Sequence, residues 1–219
     1  MSYPIPQLGI DSHEYELLYY AASASAFLGG LTCEVGVRLG GGSELIMKAS
    51  TLCRPSRPHI AIDPWGNLPY NARQERPGYD DVMRRETTIQ LHTIAERDAV
   101  DVLILPWKDS DFFERCASGV PLYLEKFPQT TLWNAYSLVH LDGLHSLDAV
   151  MSEVAFFASR IVHKGWIVCD DVRDYEHTHV DAFLLASGFV RDDWTYDVKR
   201  QNIRKAAYWK GSMDGIVQV

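Results

Sequence analysis

None of the four cysteines (Cys33, Cys53, Cys116, Cys169) falls into a Cys-x-x-Cys pair, and two of them lie inside apolar runs. That spacing supports neither a zinc site nor a disulfide framework; a thiol in an apolar run serves as a small buried hydrophobe. The ~20 consecutive apolar residues that span a bilayer occur nowhere. The opening segment MSYPIPQLGIDSHEYELLYY lacks a basic region ahead of an apolar run, so a cytoplasmic protein with no membrane segment is expected. Basic charge is scarce as well: 21 Lys and Arg against 29 Asp and Glu leave a net charge of -8. Phosphate binding needs clustered basic side chains that release counterions, so no nucleic-acid surface is expected and the natural partner is a small molecule. Repeats, low-complexity tracts, linkers, a Gly-x-Ser-x-Gly elbow and a Cys/His pairing are all missing, which removes solenoids, a second domain and a covalent intermediate from consideration. The 219 residues, 47% hydrophobic, read as a single domain spanning 1–219.

What remains is a regular alternation. Asp11 and Glu14 look like a capping pair, and Leu17, Leu18, Ala21, Ala22, Ala26 and Phe27 follow at helical spacing until Gly29 and Gly30, giving an N-terminal helical segment over 1–30. If exposed, its tyrosines and leucines are a candidate homodimer surface. Apolar runs then alternate with helical stretches: LTCEVGV, HIAID, DVLILPW, SLVHLDG and GWIVCDD are strand candidates, and GFVRDDWTYDV with KAAYWKG reads as a terminal hairpin. Such alternation builds an α/β fold whose parallel sheet is covered on both faces. Residues 65–82, rich in Pro, Gly, Asn and charge, read as a lid or substrate loop.

The first strand runs through Glu34 into a turn carrying Gly36, Gly40, Gly41 and Gly42, then enters a helix at Ser43. Ligands of such sheets sit at the carboxyl ends of the strands, and glycine there leaves room for a cofactor. An acid beside the turn suits the ammonium of an amino-acid-like ligand and repels a pyrophosphate, which favours S-adenosylmethionine (SAM) over NAD; a solvated Glu beside a plain turn is the alternative. Asp63 ends the second strand where a ribose-binding carboxylate is expected, or else caps the turn before Pro64. Asp142 ends the fourth strand and Asp170 with Asp171 the fifth, so three carboxylates can meet at one edge. A divalent cation, magnesium by donor type, would offset their repulsion. The competing reading makes Asp142 a SAM contact or helix cap, and Asp170 and Asp171 backbone acceptors. His177 and His179 lack a third nearby ligand for zinc, and Trp65, Tyr70, Tyr79 and Trp107 are as compatible with core as with an acceptor pocket.

With EVGVRLGGGS, AIDPW, PWKDS, HLDGLHS and CDDV in this order between about Thr32 and Val172, the chain resembles the class I SAM-dependent O-methyltransferases. It is most similar to the branch typified by macrocin O-methyltransferase and the cephalosporin-hydroxylase-like proteins (methyltransferase domain family 24), and more distantly to catechol O-methyltransferase. The resemblance implies a Rossmann-like three-layer α-β-α fold with a seven-stranded, mostly parallel sheet of order 3-2-1-4-5-7-6, last strand antiparallel. It implies Glu34, Gly36, Gly40 and Ser43 around the methionine part of SAM, Asp63 at the ribose, and Asp109 with Ser110 at the adenine, although Lys108 replaces the usual glycine. It also implies Mg²⁺ on Asp142, Asp170 and Asp171, Asp142 close to SAM, and His145 as general base, for which capping or packing is the competing reading. The expected activity is methyl transfer to a hydroxyl of a small-molecule acceptor of open identity, with methylation at nitrogen also open. The rivals are an NAD-dependent oxidoreductase and a non-catalytic SAM-binding protein of the same fold.

Overall fold

The computed structural model describes residues 7–8, 12–66, 79–124, 127–192 and 203–211. In chain order these form α1 (Tyr15–Ala24), β1 (Leu31–Val35), α2 (Gly41–Ser50), β2 (His59–Ile62), α3 (Asp81–Asp98), β3 (Val102–Leu105) and α4 (Asp109–Arg115). There follow β4 (Val120–Leu124), β5 (Phe127–Trp133), β6 (Tyr136–Leu141), α5 (Leu147–Ala158), β7 (Ile161–Cys169), α6 (His177–Ala186), β8 (Phe189–Arg191) and β9 (Ala206–Lys210).

The main sheet has the order β3-β2-β1-β6-β7-β9-β8. Its pairings are parallel from β3 to β7, while β9 runs antiparallel to β7 and to β8. Numbered among the sheet strands alone, this is 3-2-1-4-5-7-6 with the last strand antiparallel: the Rossmann-like methyltransferase fold.

Alternation along each strand sorts the core into two layers. Cys33, Val35, Ile60, Ile62, Val139, Leu141, Ile167 and Cys169 face Phe112 of α4, Val150, Val154 and Phe157 of α5, and Val180 and Leu184 of α6. On the other face, Leu138, Trp166 and Val168 meet α1 and α2, and Ala61 meets α3. Every side chain of β1, β2 and β6 is buried, as a sheet covered on both faces requires.

The structure departs from the sequence reading at several points. Glu14 precedes α1 in a left-handed conformation and makes no side-chain cap; its carboxylate accepts from the backbone N–H groups of Arg204 and Lys205 instead, both at 2.7 Å. Asp11, the other half of the expected capping pair, lies outside the described residues. The helix stops at Ala24, and Phe27 is exposed. Leu17 and Leu18 are core residues packed against α2 and the sheet, whereas Tyr20 of the same helix is 45% exposed. A two-stranded antiparallel sheet, β4 with β5, stands between α4 and β6 where no strands were expected. Of the expected lid, residues 67–78, Tyr70 included, lie outside the described residues, as does most of the first strand of the terminal hairpin beyond Asp192. Among the described residues, no helix is long and apolar enough to cross a membrane.

Candidate functional site

Where β1 and β6 end, the backbones close on each other. Asp142 N–H donates to the Val35 carbonyl at 2.8 Å, and Gly36, at φ 82°, sits so close to the Asp142 carbonyl that any β-carbon would overlap it. Gly42 is likewise filled from inside: a side chain there would collide with the Glu34 carboxylate. These two glycines therefore make room for the protein's own backbone and acid, whereas Gly40, at φ 89°, is the N-cap of α2 and faces Leu8, Thr87 and Leu91.

Glu34 is 1% exposed and fully engaged. Ser43 Oγ donates to one carboxylate oxygen at 2.5 Å, and His140 Nδ1 stands 2.7 Å from the other. His59 Nε2 lies 2.9 Å from Ser43 Oγ and its Nδ1 3.0 Å from Thr32 Oγ1. His140 is the register partner of Glu34 on β6, and its Nε2 reaches Lys205 Nζ at 3.3 Å. The result is a polar row across the α1–α2 face of the sheet, with every member buried.

Asp63 is turned inward as well. One oxygen accepts from the N–H groups of Val37 and Arg38, both at 2.9 Å, and the other from Trp65 N–H at 2.9 Å and the Tyr79 hydroxyl at 2.5 Å. It pins the glycine turn from behind; burial raises its pKa despite the four donors.

The partly open groups are Asp142, His145 and Asp171. His145 Nδ1 is 3.0 Å from Asp171 Oδ2, and its Nε2 is 3.3 Å from Asp142 Oδ1. The second approach lacks hydrogen-bond alignment, leaving Nε2 without a hydrogen-bond partner among the described residues; what Asp142 supplies there is charge. Burial opposes protonation of the ring, but the two carboxylates override it and lift the His145 pKa to about 9. Burial, and then the charge of Asp170, raise Asp142 to about 7, although 23% of its side chain still meets solvent. The His145 contact and the opposing burial together leave Asp171 below its ordinary value; its Oδ1 is 3.2 Å from Arg204.

Asp170 is buried beside this group. One oxygen receives both the Lys205 ammonium and the Ser12 hydroxyl, and the other accepts from Asp171 N–H at 2.7 Å. Against the effect of burial, the Lys205 ammonium foremost holds its pKa well below the carboxylate range. Two sets place one ligand atom each within 4.8 Å of one another, His140/Asp142/Asp170 and Asp142/His145/Asp171. The three aspartates expected to share a magnesium ion form no such set among the described residues. Asp170 carries an ammonium, and the His145 ring nitrogens each face one of the other two acids, so these donors do not fit a three-carboxylate magnesium site.

Asp109 and Ser110 begin α4, half-buried and exposed respectively. Between them and Asp142 lies a group the sequence reading missed. Glu153 of α5 is 1% exposed, its Oε1 would be 2.8 Å from a β-carbon at Gly143, and neither oxygen has a hydrogen-bond partner among the described residues. Burial and then the charge of Asp109 push its pKa far up. It occupies an apolar helical position between Val150, Val154 and Phe157, which was the available signal. His140 and Lys205 were missed for the same reason, each a polar residue inside or beside an apolar strand. His177 and His179 do not converge: His177 Nε2 is 2.7 Å from the Tyr208 hydroxyl, while His179 is exposed. Trp65 is core at 2% exposed, and Trp107 packs at the edge of the core beneath Arg115.

No protein-family model and no curated sequence matches the chain. Solved structures do. An O-methyltransferase from Bacillus cereus in complex with SAH superposes with a TM-score of 0.58 at 8% identity, covering 94% of this chain and 84% of the other. TomG from Streptomyces achromogenes, an O-methyltransferase of tomaymycin synthesis in complex with SAM, gives 0.57 at 11%, covering 94% and 83%. An rRNA methylase from Streptococcus thermophilus gives 0.52 at 7%, covering 93% and 100%. At such identities the likeness establishes the fold, and the differing acceptors in these names leave the acceptor open.

Proposed function

We propose that this chain transfers a methyl group from SAM to a hydroxyl of a small-molecule acceptor at the carboxyl edge of β1 and β6. The observation that carries the reading is the Asp142–His145–Asp171 cluster, set on that edge of a Rossmann-like methyltransferase sheet. The residues present suit a cationic nucleoside: the edge is acidic, and the Glu153 oxygens, without a hydrogen-bond partner among the described residues, are buried polar atoms that call for a polar occupant. SAM supplies an electrophilic methyl on a sulfonium, and transfer leaves a neutral thioether.

The chain's own task is to align the hydroxyl and take its proton. At neutral pH the imidazole of His145, with its pKa near 9, is already charged and is a poor base. Asp142, near 7, combines a free lone pair with a basicity matched to the working pH. The acceptor O–H therefore gives its proton to Asp142 as the new O–CH₃ bond forms, with the imidazolium held by Asp171 balancing charge beside it. Glu34 and Asp63 act in this reading chiefly by fixing the turn: Glu34 through Ser43, Asp63 through the Val37 and Arg38 amides. Magnesium assistance, expected from the three aspartates, is left out because Asp170 is already paired. NAD gains no support, since a buried Glu34 carboxylate lies under the turn where a pyrophosphate would rest.

Calorimetry with S-adenosylhomocysteine, SAM and NAD tests the reading; one-to-one binding of the first two and none of NAD is expected. Release of S-adenosylhomocysteine with a panel of phenolic, sugar and polyketide hydroxyl acceptors then reports turnover. Asp142→Asn should lower it about 10²- to 10⁴-fold with cofactor affinity retained. Nucleoside binding without release from any acceptor would point to the non-catalytic alternative.

A further inference from the structure

We propose that Lys205 is the resident cation of this site: its ammonium neutralises Asp170 permanently, and the site binds its cofactor and works without a divalent metal ion. The inference rests on the location of the site proposed above, but concerns a different property of it.

Lys205 is 0% exposed. An ammonium has three N–H donors, and here each has a partner: the Asp170 carboxylate, Ser12 Oγ at 2.6 Å and His140 Nε2 at 3.3 Å. A buried ammonium is costly unless paired and fully hydrogen-bonded, and this one is both. Its backbone is fixed too. Ala206 pairs with Cys169 across β9 and β7, which sets Lys205 beside Asp170, and Glu14 holds the N–H groups of Arg204 and Lys205.

Although Asp142 also comes within 4.8 Å of Asp170, a divalent ion on Asp170 would have to expel this ammonium or share one carboxylate with it at repulsive distance. The other aspartates that follow β6 and β7 are matched in the same way, Asp171 by Arg204 and His145, Asp174 by Arg204, and Asp142 by His145. Three side-chain cations thus face four aspartates along the edge, a balance that leaves little electrostatic demand for a metal.

The test uses the full chain, purified and dialysed against chelator. Free Mn²⁺ gives a solution electron paramagnetic resonance signal that disappears on binding. For the unaltered protein the signal should persist, and S-adenosylhomocysteine affinity by calorimetry should agree within about twofold with and without chelator. Lys205→Met, which leaves Asp170 uncovered, should gain Mn²⁺ binding. Should that variant fail to fold, Lys205→Ala with added methylammonium or Mn²⁺ during refolding replaces it, and the double variant Lys205→Met/Asp170→Asn, which removes both charges, should fold and bind no Mn²⁺. One-to-one Mn²⁺ binding by the unaltered protein, whichever aspartate it depends on, overturns the proposal; so does a folded Lys205→Met or Lys205→Ala protein that gains none. Failure to bind S-adenosylhomocysteine under any condition would count against the proposed function instead, and the Mn²⁺ result would still decide the role of Lys205.

Discussion

At Asp63 the hydrogen-bonding capacity of one carboxylate is met entirely by the chain, and one of the four donors is a hydroxyl, that of Tyr79. A ribose hydroxyl approaching the same oxygen would compete with it. Tyr79→Phe should therefore raise S-adenosylhomocysteine affinity by up to about tenfold, the worth of one net hydrogen bond; affinity unchanged or weakened in calorimetry would deny Asp63 a place at the ribose. Glu153 is the opposite case, an acid with no hydrogen-bond partner among the described residues. Its folded pKa is raised, so the unfolded carboxyl ionises first, and its contribution to stability is lost as pH rises from the ordinary value through the folded one. Glu153→Met should stabilise the protein by roughly 1–3 kcal/mol, most on the alkaline side, in urea unfolding at several pH values. A loss instead would mean that a ligand or water partners the carboxyl in solution. These residues mark the limit of reading single positions. Asp142, His145 and Asp171 were legible because acids and a histidine stand at strand ends, but which oxygen faces which cation depends on Lys205 and Arg204, far away in sequence.

At the scale of elements, apolar runs bounded by glycine and aspartate located β1, β2, β3, β6 and β7; β1, β2 and β6 are buried on both faces and so nearly continuous in apolar character. The β4–β5 hairpin escaped for a physical reason: each of its strands carries a proline, Pro121 and Pro128, which argues against a sheet interior and is tolerated in a two-stranded ribbon that is all edge. The glycine turn was found for an incomplete reason. Gly36 was read as room for a cofactor, and the structure shows the Asp142 backbone in that room. Gly36→Ala meets both that clash and a positive φ that disfavours any side chain. It should destabilise the protein by several kcal/mol in chemical unfolding, by the precedent of strained and overpacked positions. Any folded fraction should lose turnover more than cofactor affinity, because the displaced atoms belong to Asp142. A tolerated alanine with normal turnover would show that the β1–β6 closure does not set the site.

For the whole molecule, the polar row and the α6–β9 cluster tie stability to pH. His177 is held neutral with a pKa of about 4, by burial foremost, with Asp181 opposing and Arg191 assisting. Tyr175 and Tyr208 complete its surroundings, their hydroxyls 3.1 and 2.7 Å from its two ring nitrogens. His59 lies at about 3, again chiefly through burial. Both folded values are below the ordinary 6.5, so the unfolded chain takes up protons first: the stability these residues give is complete above pH 6.5 and falls as pH drops, through 4 for His177 and further for His59. Each contributes a slope of about 1.4 kcal/mol per pH unit inside its window. His145 works the other way. Its folded pKa, about 9, lies above 6.5, so its contribution is present below 6.5 and lost as pH rises through 9. Stability from these three groups therefore peaks near neutrality and declines on both sides, more steeply on the acid side where two histidines act together. His177→Gln keeps a hydrogen-bonding side chain between Tyr175 and Tyr208 but cannot titrate. Urea unfolding between pH 4.5 and 8 should show a shallower acid limb for this variant, by roughly 3 kcal/mol over the full window, and an unchanged alkaline limb. An acid limb as steep as that of the unaltered protein would mean that His177 is already protonated in the fold, and that the Asp181 carboxylate rather than burial governs this cluster.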